Sequence, residues 1–446
     1  MTKRPSVMED LDAASEMLGK GRFDGVLRLL TPLPDASATR DRLLGAAYLG
    51  KRDLPSAFHH LREALVKAPG HPQALFDLGR AHLAAADAFT AVGVFEALTA
   101  SAPDMPGLPA ALASAYRRDA RYADAIRTAD AAMEQSGASI DLLYEKAVSQ
   151  HALGDAKGAL ASHDALLALD PEHAASWFVS HASALSVRGL DDAVARLRRA
   201  VACPGANGRY WASLCVYAFL SGRNDEARTI HAERIAKHPK RQPLVDSVRA
   251  LLPHLAPDHK LFGVSAELLR HALNEASLPG MVLEFGVRRG TSINHLAKIA
   301  GQTVHGFDSF EGLPEAWINA PQGVLTTGAQ LPPVRDNVVL HAGWFDDTLP
   351  AFLAHMPDEP LRFANIDSDI YSSARTVLTL LAGRMRPGTV LVFDEFIGNR
   401  NWRHDEFKAF AEFAAEHDVV FSYIALSPAT KQVALRLTRI GGRSLP

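Results

Sequence analysis

Two aspartates, Asp367 and Asp369, stand two residues apart in FANIDSDIYSS (residues 363–373), directly after an apolar run with the look of a buried strand. In extended backbone such positions share a face, so the carboxylates crowd and repel unless something offsets the charge. A second acidic pair, Asp394 and Glu395, closes the run TVLVFDEF. Asp367, Asp394 and Glu395, converging from adjacent strand ends, are three hard oxygen ligands that suit a divalent cation such as Mg²⁺, with positions left for water or substrate. The competing reading is a set of solvated carboxylates capping helices. Asp369 suits that role before YSSARTVLTLL and ranks below Asp367 as a ligand.

A third feature is VLEFGVRRGTS, with glycines at 286 and 290 and Arg288 where a dinucleotide fingerprint places its middle glycine. The long side chain there argues against a pyrophosphate ligand. A methyl donor has no pyrophosphate, and the N-terminus of the helix TSINHLAKIA, carrying roughly half a positive charge, can face the carboxylate of its methionine part. Asp308, 22 residues beyond Gly286, stands where an acidic side chain accepts from both ribose hydroxyls. As a turn residue in FDSFEG it would do nothing of the kind. Together the two motifs favour an adenosyl ligand.

The elements that must hold these residues follow from periodicity. After LLPHLAPDHKLFG, whose prolines and glycine mark a linker over 249–263, the helix VSAELLRHALNEASL begins at 264. Then come the short apolar runs MVLEFGV, TVHGFDSF, NVVLHAGWF, LRFANID, TVLVFDEF, DVVFSYIAL and KQVALRLTRI. Alternation with helices predicts a Rossmann-like, mostly parallel, seven-stranded sheet covered on both faces. The last two runs, joined by SPAT, should form a hairpin with one antiparallel edge. This is the usual plan of class I S-adenosylmethionine-dependent methyltransferases. Ligands of open sheets sit beyond the strands' carboxyl ends, where Glu284, Gly286, Asp308, Gly343, Asp367, Asp394 and Glu395 fall.

The first half has another period. Ala57, Ala91, Ala125, Ala159, Ala193 and Ala227 are each 34 residues apart, and Pro69, Pro103, Pro171 and Pro239 keep the same register. Gly45 and Gly79 share it, as do Leu61, Phe95 and Leu197. That is the tetratricopeptide pattern, in which a small residue lets two helices approach and proline closes the second. Six hairpins are predicted over about 40–240, a shorter one at the start, and an all-α solenoid domain over 1–248. Tyr210, Trp211 and Tyr217 read as core. The array can dock a peptide or carrier partner, or serve as a spacer or oligomerisation surface.

Composition narrows the class. At 446 residues and 48% apolar content the chain builds at least two cores. A net charge of -3 offers no concentrated basic surface for nucleic acid. Cys203 and Cys215 are too few for a disulfide framework and read as free thiols in a reducing compartment. No apolar run approaches the ~20 residues of a membrane span. The start MTKRPSVMEDLDAASEML reads as a first helix of a cytoplasmic protein, not a leader.

The stretches LEFGVRRGTS, GFDSFEGLPE, GWFDDTLP, IDSDIYSS, RPGTVLVFDEF and WRHDEFKAF, over about 264–440, together resemble the macrocin O-methyltransferase family. The resemblance implies Mg²⁺-dependent transfer of a methyl group from S-adenosylmethionine to a sugar hydroxyl, the acceptor being a small sugar or glycoside. Its metal ligands would fall on Asp367, Asp394 and Glu395, the last where the family has a second Asp. Its donor site would fall on Glu284, Gly286, Gly290, Thr291, Ser292, Asp308, Ser309, Gly343, Trp344, Phe345 and Asp367. Asp367 is the first choice for general base, with His404 and His341 behind it. Trp402 and the segment Ala316–Arg335 are candidates for a lid. A homo-oligomer is expected. The rival reading is a repeat-based scaffold whose C-terminal domain is silent or directed at a protein or carrier.

Overall fold

The computed structural model describes residues 7–34, 37–318, 320–356 and 358–444. The chain divides into two compact units, one ending at Ser136 and the other beginning at Gly137.

The first unit is helical, with hairpins Val7–Gly19/Phe23–Leu30, Ala38–Gly50/Leu54–Lys67, Pro72–Ala84/Ala88–Ser101 and Leu108–Arg118/Tyr122–Ser136. Its columns have a steric cause. Ala57, Ala91 and Ala125 are fully buried on the second helices. A Cβ added at Gly45 would meet Leu61 Cγ at 2.7 Å, and one at Gly79 would meet Phe95 Cε1 at 2.5 Å. The glycine column therefore receives the bulky column of the paired helix.

The second unit opens with three more hairpins, Ile140–Ala152/Ala156–Leu169, Ala174–Arg188/Leu190–Ala202 and Gly208–Leu220/Asn224–Ile230. Ala159, Ala193 and Ala227 are again buried, as are Tyr210 and Tyr217, and Cys203 and Cys215 are free thiols. The six predicted hairpins and the shorter first one are thus present. A further helix, Gln242–Leu251, follows them.

The α/β part has strands β1 (Leu255–Leu261), β2 (Met281–Phe285), β3 (Val304–Asp308), β4 (Val338–Ala342), β5 (Leu361–Ile366), β6 (Val390–Phe393), β7 (Val420–Ser427), β8 (Gln432–Ile440) and the two-residue β9 (Arg443–Ser444). Their order is β1-β7-β8-β6-β5-β2-β3-β4, with β9 on β8. All seven predicted runs form strands. The line nevertheless holds eight, because residues assigned to a linker supply β1, which pairs parallel with β7. The β7–β8 hairpin consequently lies inside the sheet, with β8 antiparallel to both β6 and β7.

Alternation along the strands feeds two cores. Val282, Phe363 and Val392 pack with helices Ser265–Glu275 and Thr291–Ala300. Leu283, Phe285, Ile366 and Phe393 pack on the other face with helices Phe345–Ala354, Tyr371–Leu381 and Glu406–Glu416. After β2 the chain steps outward through β3 and β4, then returns to lay β5 on the other side of β2. That reversal opens a crevice at the carboxyl ends of β2 and β5, where open sheets bind ligands. Among the described residues, no helix is long and apolar enough to cross a membrane.

Candidate functional site

Register aligns the rim. Phe285 pairs with Phe307 and with Ile366, and Ile366 with Phe393. The strand ends thus bring Gly286, Asp308, Asp367 and Asp394 to one edge. Gly286 is required twice over: its φ is +94°, and an added Cβ would meet Asp367 O at 1.8 Å. The close approach is locked by Asp367 N donating to Phe285 O at 2.8 Å and Gly286 N donating to Phe307 O at 2.9 Å.

Asp308 folds the glycine turn over the rim. Its carboxylate accepts from Arg288 N at 2.7 Å and Phe310 N at 2.6 Å. Burial raises its pKa, and these amide donors oppose the rise. Beside it lies a cleft of about 400 Å³, lined by Gly286, Arg288, Asp308 and Ser309, by Trp344 and Phe345 beyond β4, and by Asp367, Ser368 and Asp369 beyond β5. That volume falls within the range of small-molecule and cofactor pockets.

The rest of the expected donor set surrounds this cleft without lining it. Gly290, at φ +79°, caps the helix that begins at Thr291. Ser292 Oγ donates to Glu284 Oε1 at 2.8 Å, and Glu284 is fully buried beneath the cleft with Asn365 Nδ2 3.2 Å from its other oxygen. Burial pushes the Glu284 carboxyl up to about 8. Gly343 N donates to Asp308 O at 2.9 Å.

The acidic cluster differs from the expected cation set. Among the described residues, no group of three His, Cys, Asp or Glu is placed to hold a metal ion. Glu395 is instead engaged within the chain: Lys431 Nζ lies 2.9 and 3.2 Å from its two carboxylate oxygens, and Asn399 Nδ2 also donates to it. Asp394 accepts from Gln432 Nε2. Burial, followed by the neighbouring acids, raises the carboxyls of Asp367, Asp369 and Asp394. Lys431 and Gln432 thus offset part of the repulsion among these acids.

Asp369 is not the cap of the following helix; Ile370 holds that position without a side-chain bond, and Asp369 is buried in the left-handed region at φ +62°. His404 is exposed. His341 stacks on Phe307 with ring centroids 4.5 Å apart and meets His305 Nδ1 at 3.1 Å, within a ring cluster that does not line the cleft. Trp402 is buried against Phe407, in a core position that does not suit a lid. Of the segment 316–335, Leu325 reaches the cleft, while the buried Thr327 Oγ1 anchors it by donating to Gln330 O at 2.8 Å. Residue 319 lies outside the described residues.

Sequence reasoning missed Glu406. It is fully buried and accepts from Ser368 N and Glu395 N, each at 3.2 Å, so one carboxyl ties together the loops after β5 and β6. The only signal was its presence in WRHDEFKAF. Lys431, Asn399 and Gln432 were missed as well.

Parts of the chain are similar to known proteins. Residues 283–396 match a family model described as "Methyltransferase domain". A curated relative from Streptomyces olivaceus, 8-demethyl-8-(2,3-dimethoxy-alpha-L-rhamnosyl)-tetracenomycin-C 4'-O-methyltransferase, is 30% identical over 146 residues, 27% of this chain. The chain spans about half of that relative's length, 54%. Among solved structures, the calicheamicin methyltransferase CalS11 is 22% identical, covering 47% of this chain and 92% of its own, with a TM-score of 0.33. A tetratricopeptide repeat protein from Parabacteroides merdae is 12% identical, covering 55% of this chain and 97% of its own, with a TM-score of 0.44.

Proposed function

We propose that this protein is an S-adenosylmethionine-dependent O-methyltransferase acting on a hydroxyl of a sugar or glycosylated natural product. The observation that carries the reading is the cleft at the β2/β5 switch point, where Gly286, Asp308 and Asp367 meet inside the stretch that matches a methyltransferase domain. The acceptor class comes from the rhamnosyl compound in the name of the Streptomyces olivaceus relative.

Several features of the cleft fit the donor. Gly286 leaves room where any side chain would strike backbone. Asp308 lines the cleft, and each of its carboxylate oxygens, bonded to one turn amide, keeps a lone pair with which to accept a ribose hydroxyl. Trp344 and Phe345 offer aromatic faces for a purine. When bound, the donor supplies an electrophilic methyl group on a sulfonium sulfur.

The chain's own part is to orient and to move a proton. Asp367 lines the cleft beside Asp369, and a carboxyl raised by burial is a stronger base once ionised, poised nearer neutral pH than a free aspartate. It takes the proton from the acceptor hydroxyl, and the shaped cleft holds oxygen, carbon and sulfur in line. These steps are carried by the chain's own residues; Asp367, Asp394 and Glu395 are the carboxylates that would hold a divalent cation, and Glu395 is engaged by Lys431. Such a cation would require Glu395 to leave Lys431 and would lower the pKa of the acceptor hydroxyl.

The test is calorimetry of the full chain with S-adenosylmethionine, followed by incubation with a panel of rhamnosyl and related glycosides. Expected are saturable binding at one site and a mass gain of one methylene on an acceptor. Absence of donor binding overturns the reading.

A further inference from the structure

We infer that Ser247, on the helix Gln242–Leu251 that follows the repeats, is a positioning residue for the loop after β6, acting through Gly398 on the segment that carries Glu395 and Asn399 behind the proposed methyltransferase cleft. The role assigned to that loop rests on the reading above; the anchoring itself is a matter of contacts.

Ser247 is fully buried, donates to Leu244 O at 3.0 Å and accepts from Gly398 N at 3.0 Å. Gly398 has φ +81°, and an added Cβ would lie 3.1 Å from Leu244 Cδ1 and 3.5 Å from Lys431 Cγ. The repeat-side helix and the Lys431 stem therefore grip the same glycine from two directions. From there the chain of contacts reaches the acidic rim in one step. Ile397 N donates to Lys431 O at 3.3 Å, Lys431 Nζ donates to Asn399 Oδ1 at 2.7 Å, and the same ammonium holds Glu395. Farther along the loop, Arg403 Nη2 lies 3.6 Å from Asp246 Oδ2 on the same helix.

The anchor can transmit position because its base is packed. Val245, Val248 and Leu251 share one continuous core with Phe396, Ile397 and Tyr423. The seam between repeats and sheet continues elsewhere. An added Cβ at Gly263 would meet Ala182 O at 1.8 Å, Ser186 Oγ donates to Glu267 Oε2 at 2.7 Å, and His254 stacks on Phe421 at 4.7 Å. The helices from 140 onward are thus part of the scaffold of the site, and the loop after β6 is held from outside the sheet.

The experiment uses the full chain as wild type, Ser247→Ala and Ser247→Thr. It reads amide hydrogen exchange over residues 396–404 and calorimetric affinity for S-adenosylhomocysteine. In Ser247→Ala the loop amides should exchange roughly tenfold faster, the scale of one lost buried hydrogen bond. Amides of β2 and β5 should be unchanged, ligand affinity should stay within about twofold, and Ser247→Thr should restore the wild-type rate. Unchanged loop exchange in Ser247→Ala overturns the inference. So does equal acceleration of β2 and β5, which would mean general loosening. Failure of the wild type to bind S-adenosylhomocysteine overturns the methyltransferase reading, while the exchange comparison still decides the anchoring.

Discussion

Replacing Glu284 with Gln should stabilise the second unit, and increasingly so as pH rises. The buried carboxyl is raised from the usual 4.5 to about 8, with burial as the main cause and its bonds to Ser292 and Asn365 opposing. A raised carboxyl binds its proton more tightly folded than unfolded. Its contribution to stability is therefore full below about pH 4.5 and is lost as pH climbs to about 8. At about 1.4 kcal/mol per pKa unit the loss is at most roughly 5 kcal/mol; relaxation around the charge brings the expected figure to about 2 kcal/mol. An amide cannot ionise, and its hydrogen-bonding geometry can be satisfied. Among the described residues Asn365 Oδ1 is buried without a partner, so turning over the Asn365 amide lets either the introduced glutamine or the protonated Glu284 donate to it. All five tryptophans, Trp177, Trp211, Trp317, Trp344 and Trp402, lie beyond residue 136, so their fluorescence follows unfolding of the second unit alone. Urea midpoints of wild type and Glu284→Gln should coincide near pH 5 and separate by roughly half a molar at pH 8. A gap independent of pH, or a variant less stable throughout, refutes the assignment of a protonated carboxyl at this position.

Other expectations concern the rim. Asp308→Ala removes the acceptor that clamps Arg288 N and Phe310 N, and calorimetry should show S-adenosylmethionine affinity reduced at least tenfold; unchanged affinity would remove Asp308 from the donor site. Gly286→Ala drives a Cβ to 1.8 Å from Asp367 O at a φ of +94°, so the fluorescence-monitored midpoint should fall by an amount equivalent to about 3 kcal/mol or more. Lys431→Met frees Glu395 from its cation, and Mn²⁺ affinity measured by electron paramagnetic resonance should rise at least tenfold over wild type. Equal affinities would show that Lys431 does not compete with a metal. In wild type, EDTA should leave S-adenosylhomocysteine affinity unchanged.

Legibility in the sequence followed the physics that made each residue. The alanine column could be read because close helix approach leaves no choice at Ala57 or Ala193, both fully buried. β2 could be read because all five of its residues are buried between helical layers. β1 could not: LAPDHKL carries a proline and two charges, buries only Ala256, and owes its extended form to pairing with β7. The rim carboxylates were visible as strand-end residues, but their charge balance was not. It depends on Lys431, 36 residues from Glu395 and brought back by the β7–β8 hairpin, and on Glu406, 38 residues from the Ser368 amide it holds. Local spacing announces a concentration of charge, whereas the counter-charge is set by topology. That is why the acids could be read along the chain, whereas the lysine, glutamine and buried glutamate that hold them could not.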